Sequence, residues 1–394
     1  MIIESAIDND MYKFTMQQAV LHKFPGAVVE YAFKCRTPGI DFRPYFADIV
    51  KNINKMCNHV TFTDDDLEFL YSLGFFKPDF IEFLRLFRFN YKYINMVCDN
   101  DGNLHIHIKG PWLHTILFEV PILSIISEVY STDMSMSYTE ANRRSMEKFK
   151  KLSDMDIEHN MLIRFAEGGG RRRHSVRAHR NVLSIAKRVC PKNLIGTSNV
   201  MMARAYNMKA IGTMAHEWGQ AHQALYRVED SQFMMMENWA HEYRGDLGIA
   251  LSDVIGLKYF LYDFDKYFSK LFDGSRQDSG DPDVYANALV NHYKSLAIDP
   301  KTKNIVFSDG LNIDKIIKIF DNWYDKIGST FLIGTNLTND FDFNPIQIVL
   351  KMIRCNGRPV AKKSDSPGKT MCNDQSYLNY LGTAFDRRIE GDRI

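Results

Sequence analysis

No Cys-x-x-Cys pair occurs in this 394-residue chain, and its six cysteines (Cys35, Cys57, Cys98, Cys190, Cys355 and Cys372) lie far apart. An even cysteine count in a chain this long, with no secretory signal expected, does not imply disulfides, and the lack of any Cys-x-x-Cys leaves a thiolate zinc site unsupported. Six reduced thiols packed as small apolar groups are therefore expected, with no structural zinc and no transition metal. Lys and Arg are missing from the first ten residues, MIIESAIDND, so no secretory signal is expected. Long apolar runs are missing too: the longest, residues 116–130, is interrupted by Glu119 and Glu128 and reads as too short to span a bilayer. A dominant charge is also absent, because 49 Lys and Arg meet 48 Asp and Glu. A net charge of +1 creates no field that gathers nucleic acid or an anionic membrane surface. What is there, 45% hydrophobic and 25% charged residues, suits a chain with a sizeable core, long enough for two domains. The expectation is a cytoplasmic protein with no nucleic-acid and no membrane partner.

Along the chain, residues 28–35 (VVEYAFKC) alternate β-branched and aromatic side chains and predict a strand. Thr63 ahead of Asp64, Asp65 and Asp66 predicts a capped helix start. Residues 103–108 (NLHIHI) predict a second strand after the turn Asn100-Asp101-Gly102. His105 and His107 share one face of it, expected to be a polar face rather than half of a metal site. Gly110-Pro111 is expected to break that strand, and residues 115–130 and 135–152 predict long helices. From about residue 160 short apolar runs recur at 161–166, 193–197, 210–216, 248–253, 304–309 and 330–334, each followed by a helical stretch. Continuous apolar runs of this kind are buried parallel strands, and strand–helix repetition predicts an α/β barrel or open parallel sheet. In such folds the chemistry collects at the carboxyl ends of the strands. The runs end in Gly168-Gly169-Gly170-Arg171, Gly196-Thr197-Ser198-Asn199, His216-Glu217, Ser252-Asp253, Ser308-Asp309-Gly310 and Gly334-Thr335-Asn336, an inventory suited to phosphate and sugar.

Between Gly168 and His216 no acid occurs in 49 residues, whereas ten Lys and Arg do. The glycines let backbone approach a ligand, and the arginine forks after them suit a polyanion. Exposed aromatics that would stack on bases are not interleaved, which favours a small phosphorylated substrate over RNA. His216-Glu217-Trp218-Gly219-Gln220 misses the second imidazole of a zincin motif, since the required position is Gln220. Pro367-Gly368-Lys369-Thr370 imitates the end of a Walker A loop, but position 363 is Lys; a surface turn is expected there. Three groups remain as candidate catalysts. His216 is a nucleophile or acid/base, Asp253 is placed to fix its imidazole through the other ring nitrogen, and Arg276 with Asp278-Ser279-Gly280-Asp281-Pro282 offers a guanidinium and carboxylates for phosphate, ribose hydroxyls or Mg2+.

The same residues carry a resemblance. The chain is similar to the nicotinate phosphoribosyltransferase family, bacterial-type branch, over essentially its whole length. The matching stretches are 8–20 (DNDMYKFTMQQAV), 31–36 (YAFKCR), 196–202 (GTSNVMM), 212–218 (GTMAHEW), 248–253 (GIALSD), 278–282 (DSGDP), 308–311 (SDGL), 334–340 (GTNLTND) and 364–370 (SDSPGKT). The resemblance implies an irregular α/β barrel over 126–344 beside a smaller α/β domain formed by 1–125 and 345–394. It implies a head-to-tail homodimer with active sites shared between subunits. The implied reaction joins nicotinate to phosphoribosyl pyrophosphate, giving nicotinate mononucleotide and pyrophosphate, with ATP hydrolysis coupled and Mg2+ accompanying the phosphates; this is the first step of NAD salvage from nicotinate. His216 then matches the histidine that ATP phosphorylates and Asp253 its orienting carboxylate. Arg276 and Asp278 match residues holding the pyrophosphate donor and its ribose. Asp309-Gly310 and Gly334-Thr335-Asn336 match loops around the 5′-phosphate. Tyr12, supplied across the dimer, matches the ring that stacks on the pyridine. Arg171, Arg172, Thr197 and Ser198 lie where the family handles phosphate and the nicotinate carboxylate. One departure is visible: where the family carries Asp-Phe-Gly-Thr, this chain reads Glu167-Gly168-Gly169-Gly170. Either Phe165 supplies the second stacking ring or stacking is one-sided. The rival readings are a nicotinamide-specific relative, a quinolinate-using one, and a non-catalytic sensor of phosphoribosyl pyrophosphate.

Overall fold

The computed structural model describes residues 1–132, 137–159, 162–366 and 369–391. In chain order its strands are β1 (Val28–Cys35), β2 (Ile94–Cys98), β3 (Leu104–Pro111), β4 (Arg164–Glu167), β5 (Leu194–Thr197), β6 (Arg244–Leu247), β7 (Ile249–Leu251), β8 (Gly274–Gln277), β9 (Asn304–Phe307), β10 (Gly328–Ile333), β11 (Ile348–Cys355) and β12 (Arg358–Pro359). Two sheets result. One is antiparallel, in the order β12-β11-β1-β3-β2, so its centre is an N-terminal strand paired with a C-terminal one. The other is parallel, in the order β5-β4-β10-β9-β8-β7. The fold is an irregular α/β barrel beside a smaller α/β unit built from both ends of the chain.

The barrel is irregular where the run 210–216 was expected to be a strand. Only Ala210 forms a bridge, to Thr197, and a helix starts at His216. The reason lies in the first helix, Met11–Lys23, which crosses this edge and takes the hydrogen bonds a neighbouring strand would use. Thr15 Oγ1 donates to the Thr213 carbonyl at 2.7 Å and the Ala215 amide meets the Met16 sulfur at 3.4 Å. Closure toward β7 is left to a side chain, Thr213 Oγ1 donating to the Ile249 carbonyl at 2.9 Å. His216 therefore does not close a strand; it opens the helix His216–Leu225, whose amino end favours negative charge.

Other expectations shift in instructive ways. The parallel strand β8, Gly-Ser-Arg-Gln, carries no apolar residue and has no signal in an apolar-run reading. It is a strand because Gly274 lets it lie against β9: a Cβ there would sit 1.7 Å from the Asn304 carbonyl oxygen. β3 continues through Gly110-Pro111, since Pro111 sits opposite Val28 at the strand's end, where no ladder donor is needed. Thr63 caps the helix Asp64–Ser72 in a reciprocal capping box with Asp66. The long helix expected over 135–152 runs Tyr138–His159; residues 135 and 136, like 161 of the first barrel run, lie outside the described residues. His105 and His107 bind different carboxylates, Asp99 at 2.8 Å and Glu30 at 3.2 Å. The segment Trp112–Thr132 corrects the length argued from 116–130: it is long and apolar enough to cross a membrane, but most of it is buried in the protein's own core.

Gly274→Ala should prevent β8 from pairing with β9. Loss of stability of at least about 3 kcal/mol, or no folded protein, is expected on urea unfolding; a wild-type midpoint would refute the packing described.

Candidate active site

A cavity of about 390 Å³ opens at the carboxyl ends of the barrel strands, with β11 of the smaller sheet as its far wall. Of the residues singled out from sequence, Tyr12, Arg171, Arg172, Ser198, His216, Arg276, Asp278, Asp309, Gly310, Gly334 and Thr335 line it. Asp253 lies one layer behind, bonded to His216. Two further expected residues do not reach the wall. Thr197 Oγ1 donates to Glu167 Oε2 at 2.5 Å beneath it. The Asn336 side-chain oxygen is buried with no partner among the described residues, and its carbonyl accepts from Lys148 at 2.6 Å.

His216 is 6% exposed. Its Nε2 lies 2.8 Å from Asp253 Oδ1 and 3.4 Å from Asp278 Oδ2. Burial and the nearby Lys362 ammonium push its pKa down to about 4, against the pull of Asp253. Burial would raise Asp253, but His216 and Lys362 hold it well below the usual carboxylate range. An ionised Asp253 only accepts, so the proton sits on Nε2 and Nδ1 keeps a free lone pair. Asp253 is fixed from its other oxygen by Ser279 Oγ at 2.7 Å and Lys362 Nζ at 2.8 Å. Asp278 is also held low: burial raises it, and Arg276, 3.8 Å away, lowers it. Ser308 Oγ donates to Asp278 Oδ1 at 2.8 Å.

At the other end the cavity is cationic. Of the ten basic residues in the acid-free segment, Arg171 and Arg172 face it. Arg173 is instead buried in a two-bond pair with Asp8, at 2.7 and 2.8 Å. Burial, with Arg171 and Arg36 nearby, lowers Arg172 to about 10, and its guanidinium bonds the amide oxygen of Gln347. Arg171 reaches Glu119 at 3.3 Å, and Lys351 from β11 reaches the same carboxylate at 3.1 Å. Gly168 and Gly169 pack tightly, since a Cβ on Gly169 would lie 2.2 Å from Thr338 Oγ1.

Tyr12, implied by the resemblance to act across a dimer, lines the cavity of its own chain. The Met11 amide bonds the Ser198 carbonyl at 2.7 Å, and Gly212 passes so close that a Cβ would lie 2.7 Å from the Tyr12 nitrogen. Phe165 does not supply a second ring, because it is fully buried and stacks on Phe149 at 5.8 Å. Leu332 fills the space beside Gly168 instead. His222 is buried with Nδ1 on the Trp218 carbonyl at 2.7 Å and Nε2 on Asn238.

Sequence reasoning missed Lys362, Lys369, Arg36, Glu119 and Lys351, all on the cavity wall. Lys369 corrects the surface-turn expectation for 367–370: its ammonium pairs with Asp309 and lies 3.4 Å from the Asp278 carbonyl, whereas Pro367 and Gly368 lie outside the described residues. Glu119 did leave a signal, an acid inside an otherwise apolar helix.

Strand ends that converge on one mouth, with a neutral histidine, fixed carboxylates and arginines on the wall, place the chain among the α/β barrels that carry their chemistry there. The sequence pattern of the nicotinate phosphoribosyltransferase family matches residues 163–389, and that of the family's N-terminal domain matches 7–127. A nicotinate phosphoribosyltransferase of Ralstonia nicotianae is 49% identical over 390 residues, covering 98% of this chain and 99% of that protein. One from Acidovorax sp. is 48% identical over 397 residues, with 98% and 99% covered. The crystal structure of nicotinate phosphoribosyltransferase from Vibrio cholerae superimposes with a TM-score of 0.94 at 34% identity, covering 98% of this chain and 94% of that one. That from Porphyromonas gingivalis gives 0.92 at 32%, with 98% and 100% covered. The chain belongs to the nicotinate phosphoribosyltransferase family.

In the unfolded chain His216 titrates near 6.5, in the folded protein at about 4. Between these values the unfolded state binds a proton that the folded state refuses, so this residue removes stability as pH falls from 6.5 toward 4 and no more below it. His216→Asn should flatten the pH dependence of urea unfolding in that window, and the wild-type imidazole should show the Nε2–H tautomer by 15N NMR at pH 6–8. A protonated ring at pH 6 would refute the assignment.

Proposed function

We propose that the protein transfers the 5-phosphoribosyl group of phosphoribosyl pyrophosphate to nicotinate, forming nicotinate mononucleotide and pyrophosphate, and couples this to ATP hydrolysis through a phosphohistidine at His216. The observation that carries the reading is the state of His216: neutral, its Nε2 proton engaged by Asp253, its Nδ1 free, at the mouth of a cavity rich in cations. Such an imidazole is a competent nucleophile without a separate base. The bond from Nδ1 to the γ-phosphorus forms as the bond from that phosphorus to ADP's bridging oxygen breaks. The Nε2 proton stays where it is, and water later returns the phosphoryl group as phosphate. The amino end of the helix His216–Leu225 favours the negative charge added with the phosphoryl group.

In the transfer step positive charge grows on the ribose as pyrophosphate departs, and Asp278 is the carboxylate placed to answer it, with Arg276 beside the leaving group. Holding donor and acceptor in line supplies much of the effect. Arg171 and Arg172 have charge to give to the nicotinate carboxylate, which favours nicotinate over nicotinamide. Mg2+ would arrive with the phosphates, and Asp309, on the cavity wall and 27% exposed, would offer it one hard oxygen, its Oδ1 being paired with the Lys369 ammonium. The ion, when bound, supplies charge for the departing pyrophosphate. The tighter group of His216, Asp253 and Asp278 fits it poorly, because an ammonium already lies among them. The homodimer belongs to this reading through the family alone.

Nicotinate and phosphoribosyl pyrophosphate with Mg2+ should yield nicotinate mononucleotide, faster with ATP, and nicotinamide should yield far less product. His216→Ala should keep some ATP-independent turnover and lose the ATP stimulation. No product with either base from folded protein would favour the binding-protein alternative, and full ATP stimulation in the variant would remove His216 from the coupling.

A further inference from the structure

We propose that Lys362 is a positioning residue for the histidine centre: its ammonium occupies the cation position among His216, Asp253 and Asp278 and holds both carboxylates in the orientation that fixes the imidazole. Potential ligand atoms of these three residues lie within 4.8 Å of one another, the spacing that a bound metal ion would require. The chain fills the place itself. Lys362 Nζ is 2.8 Å from Asp253 Oδ2 and 3.8 Å from Asp278 Oδ2, and the residue is 7% exposed. Two carboxylates this close repel each other when ionised, and a neutral imidazole offers no charge to offset it. Arg276 reaches Asp278, and among the described residues Lys362 is the Lys or Arg ion-paired with both Asp253 and Asp278.

Its backbone is pinned on both sides. The Ala361 amide donates to Gln223 Oε1 at 2.9 Å, Lys362 bridges Met371 with both backbone groups at 3.0 Å, and the Lys363 amide donates to the Val254 carbonyl at 2.8 Å. The next lysine shows the contrast: the Lys363 ammonium lies over the Tyr259 ring at 5.6 Å, outside the centre. One ammonium on a strapped segment gives a fixed charge that cannot dissociate as a metal can. It also ties the C-terminal segment to the barrel's reacting histidine, because Asp253 accepts from His216 with one oxygen and from Lys362 with the other.

The placement of the ammonium is independent of the reaction; its catalytic consequence rests on the proposed function, and the test separates the two. Without substrates, Zn2+ is titrated calorimetrically into wild type, Lys362→Ala and Lys362→Ala/Asp253→Asn. One imidazole and two carboxylates suit Zn2+ once the ammonium is gone. Lys362→Ala should gain one site absent from wild type, and the double variant should lose it. Equal zinc binding by wild type and Lys362→Ala overturns the proposal. In turnover, Lys362→Met, which keeps the side chain's bulk, should lose about tenfold or more in kcat with the KM for nicotinate changed less than about threefold. Ethylammonium should restore part of the kcat of Lys362→Ala, as it would not for a merely structural lysine. Full kcat in the Met variant also overturns the proposal. A protein without transferase activity would fail the second readout in wild type as well and leave the zinc result to decide.

Discussion

A fully buried ammonium, that of Lys13, sets the terms for the rest of the molecule. Removing such a charge from water costs several kcal/mol unless carboxylates surround it. Here Glu119 lies 2.7 Å away and Glu217 is in direct contact. Burial pulls the lysine's pKa down, and the two carboxylates more than reverse it. Tyr31 and the Trp112 indole donate to the same Glu217, at 3.2 and 2.9 Å, and Lys351 and Arg171 complete Glu119. The first helix, β1, β11, the apolar helix and the helix of His216 therefore meet in one polar knot between the two sheets. Lys13, Glu119 and Glu217 are all buried, and each would be costly without the others.

The consequence for the site is positional. Glu217 is the neighbour of His216 in sequence, so the knot fixes the first turn of that helix, and Asp253 with Ser279 and Lys362 fixes the ring from the other side. Held in this way, burial and a nearby ammonium keep the imidazole neutral while one carboxylate keeps its proton on Nε2. A second buried pair, Glu167 with His179 at 2.7 Å, supports the glycine turn that precedes Arg171 and Arg172, the Gly169 amide donating to the same carboxylate. Rigid supports beneath a cationic wall spare a polyphosphate the cost of organising it.

Much of this was legible in the residues. Apolar runs ending in Gly, Ser, Asp and His named most of the barrel strands, and the pairing of His216 with Asp253 followed from the roles those residue types can play. The remainder escaped for identifiable reasons. β8 is polar and owes its place to a glycine packed on the next strand. The stretch before His216 has a strand's composition, but the first helix takes its hydrogen bonds. Glu119 looks like a flaw in an apolar helix until Lys13 is beside it. Lys362 and Lys369 are common surface residue types, and only the return of the C-terminal segment over the barrel turns them inward.

The most direct measurement concerns which nitrogen of His216 carries phosphate. After brief exposure to Mg2+–ATP, 31P NMR and mass spectrometry of the quenched protein distinguish the two phosphohistidine isomers and locate the residue. The geometry predicts acid-labile phosphate on Nδ1 of His216, absent from His216→Asn and reduced in Asp253→Asn. Phosphate on Nε2, or on another residue, would contradict the account of how this histidine is held.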